Sequence, residues 1–397
     1  MSISNDTNLN VLEITNNFGA SPIYYNLFSH FDKLGLKQMV YVPLNYFSKS
    51  RASNVNFNFQ INDSKVIYSP IMKLYHIVLY AKKIKYLYGD LKRYVKSNSC
   101  TNKFDIVYAS TWCLDGALAY ELKKEFNIPY VVCVRNTDIN HYYKHFFYYR
   151  NYFKKILINA ERIIFISTAY RLKTLNLLGD DFRYKLKSMV IQNGISDLYL
   201  NNRNIGRRSL HNPVKVVYVG GLLRIKNILR SCKAIFYLRS KGYEITFTVI
   251  GKGYGSTDKI YMNRVLNFSR KHNWVEVLPK MSACELVNVF KDYDIFLMPS
   301  IVETFGLVYI ESLSQGLPII FSKGQGIDGT FPDGFIGSSA NSYDVKEIAQ
   351  SVEYVIKNYS KLSGNILDVD FDSFSWKNVA RKYLQLYASV IYDYNKC

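Results

Sequence analysis

Short apolar runs alternating with amphipathic stretches occupy most of the chain. Asn10 to Thr15 (NVLEIT), Lys37 to Val42, Phe104 to Ala109, Tyr130 to Val134 and Arg162 to Ser167 have the length and bounding turn residues of buried strands. Between them, spacing predicts a helix ending near Leu34, stopped by Gly35, and another over Leu114 to Phe126. Met189 to Gly194 (MVIQNG) reads as the close of this first half, and the polar stretch Asn201 to Asn212 as a linker. The pattern then starts again. Val214 to Val219, Ile245 to Ile250 and Asp294 to Met298 read as strands. Helices are expected from about Ile228, over Ser282 to Asp292, over Asp344 to Ile356 and over Trp376 to Tyr392. Strand-helix alternation of this kind predicts α/β architecture with parallel sheets.

Two stretches depart from the rhythm. Tyr68 to Lys96 predicts a long helix broken near Gly89, with an apolar stripe of Leu74, Ile77, Val78, Ala81, Ile84 and Leu87 or Tyr88. Its other positions carry Lys73, Lys82, Lys83, Lys85, Lys92, Arg93 and Lys96 against one acid, Asp90. Such a helix suits an anionic lipid surface, and a helix packed on a sheet with a solvated basic face has the same pattern. His141 to Leu157 (HYYKHFFYYRNYFKKIL) predicts a helix with more aromatic residues than one core-facing stripe can use, which fits contact with a membrane interface. Stacking of nucleic-acid bases is the other use of aromatics among positive charges, but no RNP, zinc or helix-turn-helix signature accompanies it.

Composition narrows the reading. At 397 residues the chain can build two domains, each with its own core. The polar start, MSISNDTNLN, predicts no secretory signal, and no apolar run reaches the roughly 20 residues a membrane span needs. The expectation is a cytoplasmic protein. The six cysteines have neither CxxC nor Cys/His spacing, so reduced thiols are expected rather than zinc or a disulfide framework. A net charge of +20 points to anionic partners.

The chemistry concentrates in Met298 to Ile320 (MPSIVETFGLVYIESLSQGLPII). A strand ends at Pro299, Glu303 lies in the loop, a helix begins near Gly306, and Glu311 follows one turn later. On this reading the amides of Phe305, Gly306 and Leu307 are free at a helix start, a place that binds phosphate. Upstream, Gly220-Gly221-Leu222-Leu223-Arg224-Ile225-Lys226-Asn227 follows the strand Val214 to Val219. Its glycines allow close approach to a ligand, and Arg224 and Lys226 supply charge.

The Glu303 to Pro318 string closely resembles the Glu-x7-Glu signature of retaining GT-B glycosyltransferases, particularly glycosyltransferase family 4, with Ser312 where the family usually has Ala. The resemblance is strong from Val214 to Pro318 and loose before Ile191. It implies two Rossmann-like domains facing across a cleft: an acceptor-binding domain over residues 1–200, a nucleotide-sugar-binding domain over 201–374, and a helix over 375–397 returning to the first. It also implies that Glu311 holds the ribose hydroxyls and Glu303 orients the transferred sugar. Lys226 and, by proximity, Arg224 would neutralise the donor diphosphate together with the backbone from Thr304 to Leu307. Gly19 in the loop after the first strand, Gly220, Gly221 and the region of Lys280 would approach the donor. Relatives need no divalent metal or cofactor, the donor being a UDP- or GDP-linked sugar.

In the segment VRNTD, Arg135 stands where similar transferases often have histidine. A guanidinium suits an acceptor phosphate or carboxylate, and Asp138 either meets an acceptor hydroxyl or pairs with Arg135. Taken with the basic first half, the expectation is transfer to a lipid-linked glycan at the inner membrane face, in capsule, O-antigen or exopolysaccharide assembly. A GT-B nucleotide-sugar epimerase and a non-catalytic nucleotide-sugar-binding protein remain the alternatives.

Overall fold

A computed structural model describes residues 9–19, 22–45, 59–61, 64–99, 103–179, 181–253 and 255–396. The first eight residues, the end of the loop reaching Ser21, and Cys100 and Cys397 lie outside the described residues. The chain divides into two compact units. The first takes Met1–Ile166, Thr174–Gln192 and Trp376–Cys397, and the second Ser167–Lys173 and Asn193–Ser375.

Among the described residues the first unit is built on a parallel sheet of seven strands, ordered β3-β2-β1-β4-β5-β6-β7. These are β1 (Asn10–Ile14), β2 (Lys37–Val42), β3 (Lys65–Tyr68), β4 (Ile106–Ala109), β5 (Tyr130–Val134), β6 (Arg162–Phe165) and β7 (Ser188–Val190). The central strands are buried along their whole length, which is why they read as continuous apolar runs rather than alternating ones. The helix Trp376–Tyr394 belongs to this unit. It packs on the helix Pro22–Lys33, with Tyr383 edge-on to Phe31 at 5.9 Å and to Tyr108 of β4 at 5.5 Å.

Two expectations are corrected here. The helix Tyr80–Ser99 runs unbroken through Gly89, after a 3₁₀ turn at Leu74–Ile77. A mid-helix glycine costs about 1 kcal/mol, which the burial of Leu87, Leu91 and Val95 offsets. The apolar stripe is borne out at Ile84 and Leu87, which are buried together with Tyr80, Leu91 and Val95, but not at Leu74 and Val78, which are 59% and 73% exposed. The expected helix over His141 to Leu157 is likewise three pieces: a π-helix at Asp138–Tyr143, a 3₁₀ turn at Phe147–Tyr149 and an α-helix at Arg150–Asn159. Dividing the run lets its many aromatics take several directions instead of one stripe.

The second unit repeats the plan with β8 (Val214–Val219), β9 (Ile245–Ile250), β10 (Val275–Leu278), β11 (Ile295–Leu297), β12 (Ile319–Ser322) and β13 (Gly337–Ala340). All pairings are parallel, in the order β10-β9-β8-β11-β12-β13. Both units are thus Rossmann-like. The segment after Gln192 is fastened to the second: Ile195 bridges to Ser375, and Gln315 donates to the Tyr199 carbonyl at 3.4 Å.

Candidate functional site

In the second sheet, β8 and β11 are neighbours, but the strands that follow them lie on opposite sides. The crevice outside the C-terminal ends of two such strands is where open parallel sheets bind ligands. Both loops leading from it are tightly specified.

After β8 the chain needs glycine. A Cβ on Gly251, which follows β9, would lie 1.8 Å from the Gly220 carbonyl oxygen, and one on Gly220 would lie 2.8 Å from the Tyr218 hydroxyl. That hydroxyl donates to the Gly221 carbonyl at 2.7 Å. A 3₁₀ turn at Arg224–Lys226 then ends at Asn227, which takes a left-handed conformation at φ 65° that Asn adopts more readily than most residues. The buried Asn227 amide donates to the carbonyls of Pro299 at 2.9 Å and Ser342 at 2.5 Å. Ile301 N–H donates to the Ile225 carbonyl at 2.7 Å. The turn is therefore clamped to the loop after β11.

Across that clamp Lys226 Nζ meets Glu303 Oε2 at 2.5 Å, with the two side chains 20% and 13% exposed. The Lys323 to Gly329 loop holds Glu303 in place. Gly326 N–H donates to the Glu303 carbonyl at 2.9 Å, and Glu303 N–H donates to Gln325 Oε1 at 3.3 Å. Gly326 has φ 57°, and a Cβ there would sit 2.8 Å from Glu303 Cγ. Thr304 N–H closes the arrangement on Glu303 Oε1 at 3.0 Å.

Gly306, at φ 80°, starts the helix Leu307–Leu313; a Cβ would strike the Tyr309 ring at 2.6 Å. Among the described residues the amides of Phe305, Gly306 and Leu307 donate to nothing, as expected for a helix start. Glu311 lies one turn on and is half-buried. Among the described residues its carboxylate accepts no hydrogen bond, and burial pushes its pKa up to about 7.

This has a measurable consequence. Below the ordinary carboxyl range the group is protonated whether the chain is folded or not. Between there and about pH 7 the unfolded chain loses a proton that the folded protein keeps, so the carboxyl costs stability progressively as pH rises. Relative to wild type, Glu311→Gln should therefore gain stability from pH 4.5 to 7, reaching on the order of 2 kcal/mol, in urea titrations at several pH values. A constant difference across that range would contradict this environment for Glu311.

Other residues singled out in the sequence lie elsewhere. Arg224 is exposed at the start of the turn, and Lys280 is exposed beyond the edge strand β10. Gly19, Arg135 and Asp138 are in the first unit. Gly19 is exposed in the turn after β1 at φ 77°. The Arg135 guanidinium covers the Tyr24 ring at 5.6 Å and donates through Nε to the Ser110 carbonyl at 3.3 Å. Asp138 is fully buried and bonds the Arg135 backbone, accepting from the amides of Trp112 at 3.0 Å, Cys113 at 2.8 Å and Arg135 at 2.8 Å. Those bonds lower its pKa, but burial outweighs them and raises it to about 6.

Sequence reasoning missed Asp115, at the β1/β4 switch point of the first sheet. Its Oδ2 accepts from the hydroxyls of Ser110 at 2.8 Å and Thr111 at 2.9 Å, and burial pushes its pKa up to about 7. The available signal was a Ser-Thr pair five and four residues before an acid that opens a helix. No group of three or more potential metal ligands occurs among the described residues.

The geometry can be set beside known proteins. Residues 203–366 match the family model for glycosyl transferases group 1. An uncharacterized glycosyltransferase of Methanocaldococcus jannaschii is 24% identical over 259 residues, taking in 64% of this chain and 66% of its own length. The GtfA subunit of a UDP-N-acetylglucosamine–peptide N-acetylglucosaminyltransferase from Streptococcus pneumoniae is 24% identical over 307 residues, 75% of this chain and 58% of that one. The matches thus span less than two thirds of these relatives. Among solved structures, sucrose-phosphate synthase from Thermosynechococcus elongatus superposes with a TM-score of 0.72 at 16% identity, covering 97% of this chain and all of that one. Anabaena HepE in complex with UDP and glucose gives 0.64 at 14%, over 96% of this chain and 100% of HepE.

These two Rossmann-like units therefore define a protein of the GT-B fold. Residues 203–366, which lie in its second unit, are similar to the glycosyl transferases group 1 family model.

Proposed function

We propose that this protein is a retaining, metal-independent glycosyltransferase that moves a sugar from a nucleoside-diphosphate donor to a hydroxyl of a lipid-linked glycan. The observation that carries the reading is the Lys226–Glu303 contact at the β8/β11 switch point, beside the helix start at Gly306. Breaking the bond between the anomeric carbon and phosphate leaves an added negative charge on the diphosphate. A fixed ammonium and unengaged amides stabilise that charge more in the transition state than in the ground state. Glu303 orients both Lys226 and the sugar, and Glu311 accepts from the ribose hydroxyls in its ionised form. Arg224, from the exposed end of the turn, adds charge at the outer phosphate. HepE, of the same fold, is known with UDP and glucose bound.

The acceptor side rests on the first unit. In this reading Arg135, which is buried against Ser110 and Tyr24, meets the acceptor phosphate, and Asp138 positions its backbone. A glycan on a lipid diphosphate supplies both phosphate and hydroxyl, which suits work at the inner membrane face in capsule, O-antigen or exopolysaccharide assembly. No helix of the described residues is long and apolar enough to cross a membrane, so attachment would be peripheral.

The test is to incubate the protein with UDP- and GDP-sugars and a lipid-linked acceptor in the presence of EDTA, and to read the anomeric configuration of the product by NMR. Retention with undiminished turnover is expected; inversion, or loss of activity with EDTA, would refute that part of the reading. In the same assay Glu311→Ala should weaken donor binding about 10- to 100-fold by calorimetry, the loss of one charge-assisted hydrogen-bond pair.

A further inference from the structure

The first unit contains a groove of roughly 440 Å³ that the chemistry above does not use. It is lined by Tyr80, Ala81, Ile84, Tyr88, Tyr149 and Tyr152, with Lys85 and Glu121 also bordering it. Four tyrosines would ordinarily make such a wall polar. Here three of the hydroxyls are engaged by the protein: Tyr80 donates to the Cys113 carbonyl, Tyr88 to Glu125 Oε2 at 2.6 Å, and Tyr152 to Glu121 Oε1 at 2.9 Å. Glu121 is neutralised in turn by Lys124 at 2.6 Å. What faces the groove is ring surface and aliphatic carbon, so a polar occupant would give up its hydration without gaining partners.

Exposed apolar residues lead into the groove along both of its chain entries. Leu74, Tyr75, Val78 and Leu79 are 59%, 48%, 73% and 42% exposed and immediately precede Tyr80 and Ala81. Phe147 and Tyr148, 53% and 85% exposed, precede Tyr149, which packs on Tyr80 at 4.8 Å. The charge of these segments has a single sign. From Lys65 to Gly89 and from Ile139 to Ala160 the sequence contains no Asp or Glu, while Lys73, Lys82, Lys85, Lys144 and Lys155 are exposed.

We propose that this groove seats one hydrocarbon chain of an anionic membrane lipid, with the exposed apolar residues at the acyl boundary and the lysines at the headgroups. The inference deepens the reading of a lipid-linked acceptor and rests on it. It also gives a use to the exposed members of the apolar stripe read from the sequence: Leu74, Val78 and Ala81 face outward because they meet lipid.

The probes are lyso-phosphatidylglycerol, which carries a single chain, and vesicles of phosphatidylcholine with or without phosphatidylglycerol. Native mass spectrometry of the full chain should show one lyso-lipid bound per protein, and flotation should require the anionic vesicles and weaken with salt. Ala81→Trp, which fills the groove, should lower lyso-lipid affinity at least about tenfold without shifting the thermal transition. If that variant misfolds, Lys82→Glu with Lys85→Glu at exposed positions should still abolish flotation.

Lyso-lipid binding unchanged in a folded Ala81→Trp protein would overturn the groove assignment, as would light scattering that shows this substitution splitting a dimer. Failure of wild type to bind either probe would overturn it equally. Transfer to the lipid-linked acceptor is scored separately. Transfer without groove binding leaves the functional reading standing, and groove binding without transfer leaves only the groove.

Discussion

Lys226→Ala is expected to lower the turnover of sugar transfer about 10²- to 10³-fold with donor saturating, the usual effect of removing one preorganised donor to a developing oxyanion. The 3₁₀ turn, the left-handed Asn227 and the Asn227 bond to Pro299 fix the backbone of Lys226 before any ligand arrives. Glu303, 2.5 Å away, fixes its ammonium. Little reorganisation is then needed when charge appears on the leaving diphosphate. Removing the lysine also leaves Glu303 without its cation in a mostly buried place, which costs stability in its own right. A modest fall in the melting temperature should accompany the kinetic effect. Lys226→Met, which keeps the aliphatic stem, should lose as much turnover as alanine but less stability. Steady-state kinetics across both variants checks this; turnover within a few-fold of wild type would remove Lys226 from the site.

Glu303, Gly306 and Glu311 were legible in the sequence because one short string carries them at fixed spacing, and Lys226 was legible in a separate stretch, Gly220 to Asn227. That Lys226 pairs with Glu303 was not. The two are 77 positions apart, and the pairing follows from β8 lying beside β11, a fact of sheet order. Nor could a string show that the Lys323 to Gly329 loop exists to hold Glu303.

Strands buried on both faces were read well, since continuous apolar runs have few other uses. The edge strand β13 (GSSA) was missed because its residues look like a turn. It is a strand by virtue of its pairing with β12, and a Cβ at Gly337 would lie 1.8 Å from the Ile319 carbonyl oxygen. The apolar stripe over Tyr68 to Lys96 was right at Ile84 and Leu87 and wrong at Leu74, Val78 and Ala81 for a related reason. Periodicity counts hydrophobic positions without saying which of two apolar faces meets the sheet. An aromatic as large as Tyr80 took the core, leaving Val78 and Ala81 outside.

Asp138→Ala should destabilise the protein by about 4 kcal/mol, more than any other single change considered, and this separates a positioning role from a catalytic one. Its carboxylate is the acceptor for amides from two different loops: Trp112 and Cys113 after β4, and Arg135 after β5. Truncation strands these N–H groups around a fully buried side chain, at about 1–3 kcal/mol for each one left unsatisfied, with some relief by relaxation. Asp138→Asn is the informative partner. Its carbonyl oxygen can still accept from Trp112 and Arg135, which share Oδ2, but its NH₂ faces the Cys113 amide that Oδ1 accepts in wild type. The asparagine variant should therefore lose only about 2 kcal/mol. Equilibrium denaturation should rank wild type above Asn above Ala, and transfer activity measured where all three are folded should fall in that same order. An alanine variant as stable as wild type but inactive would instead put the Asp138 carboxylate in contact with the acceptor.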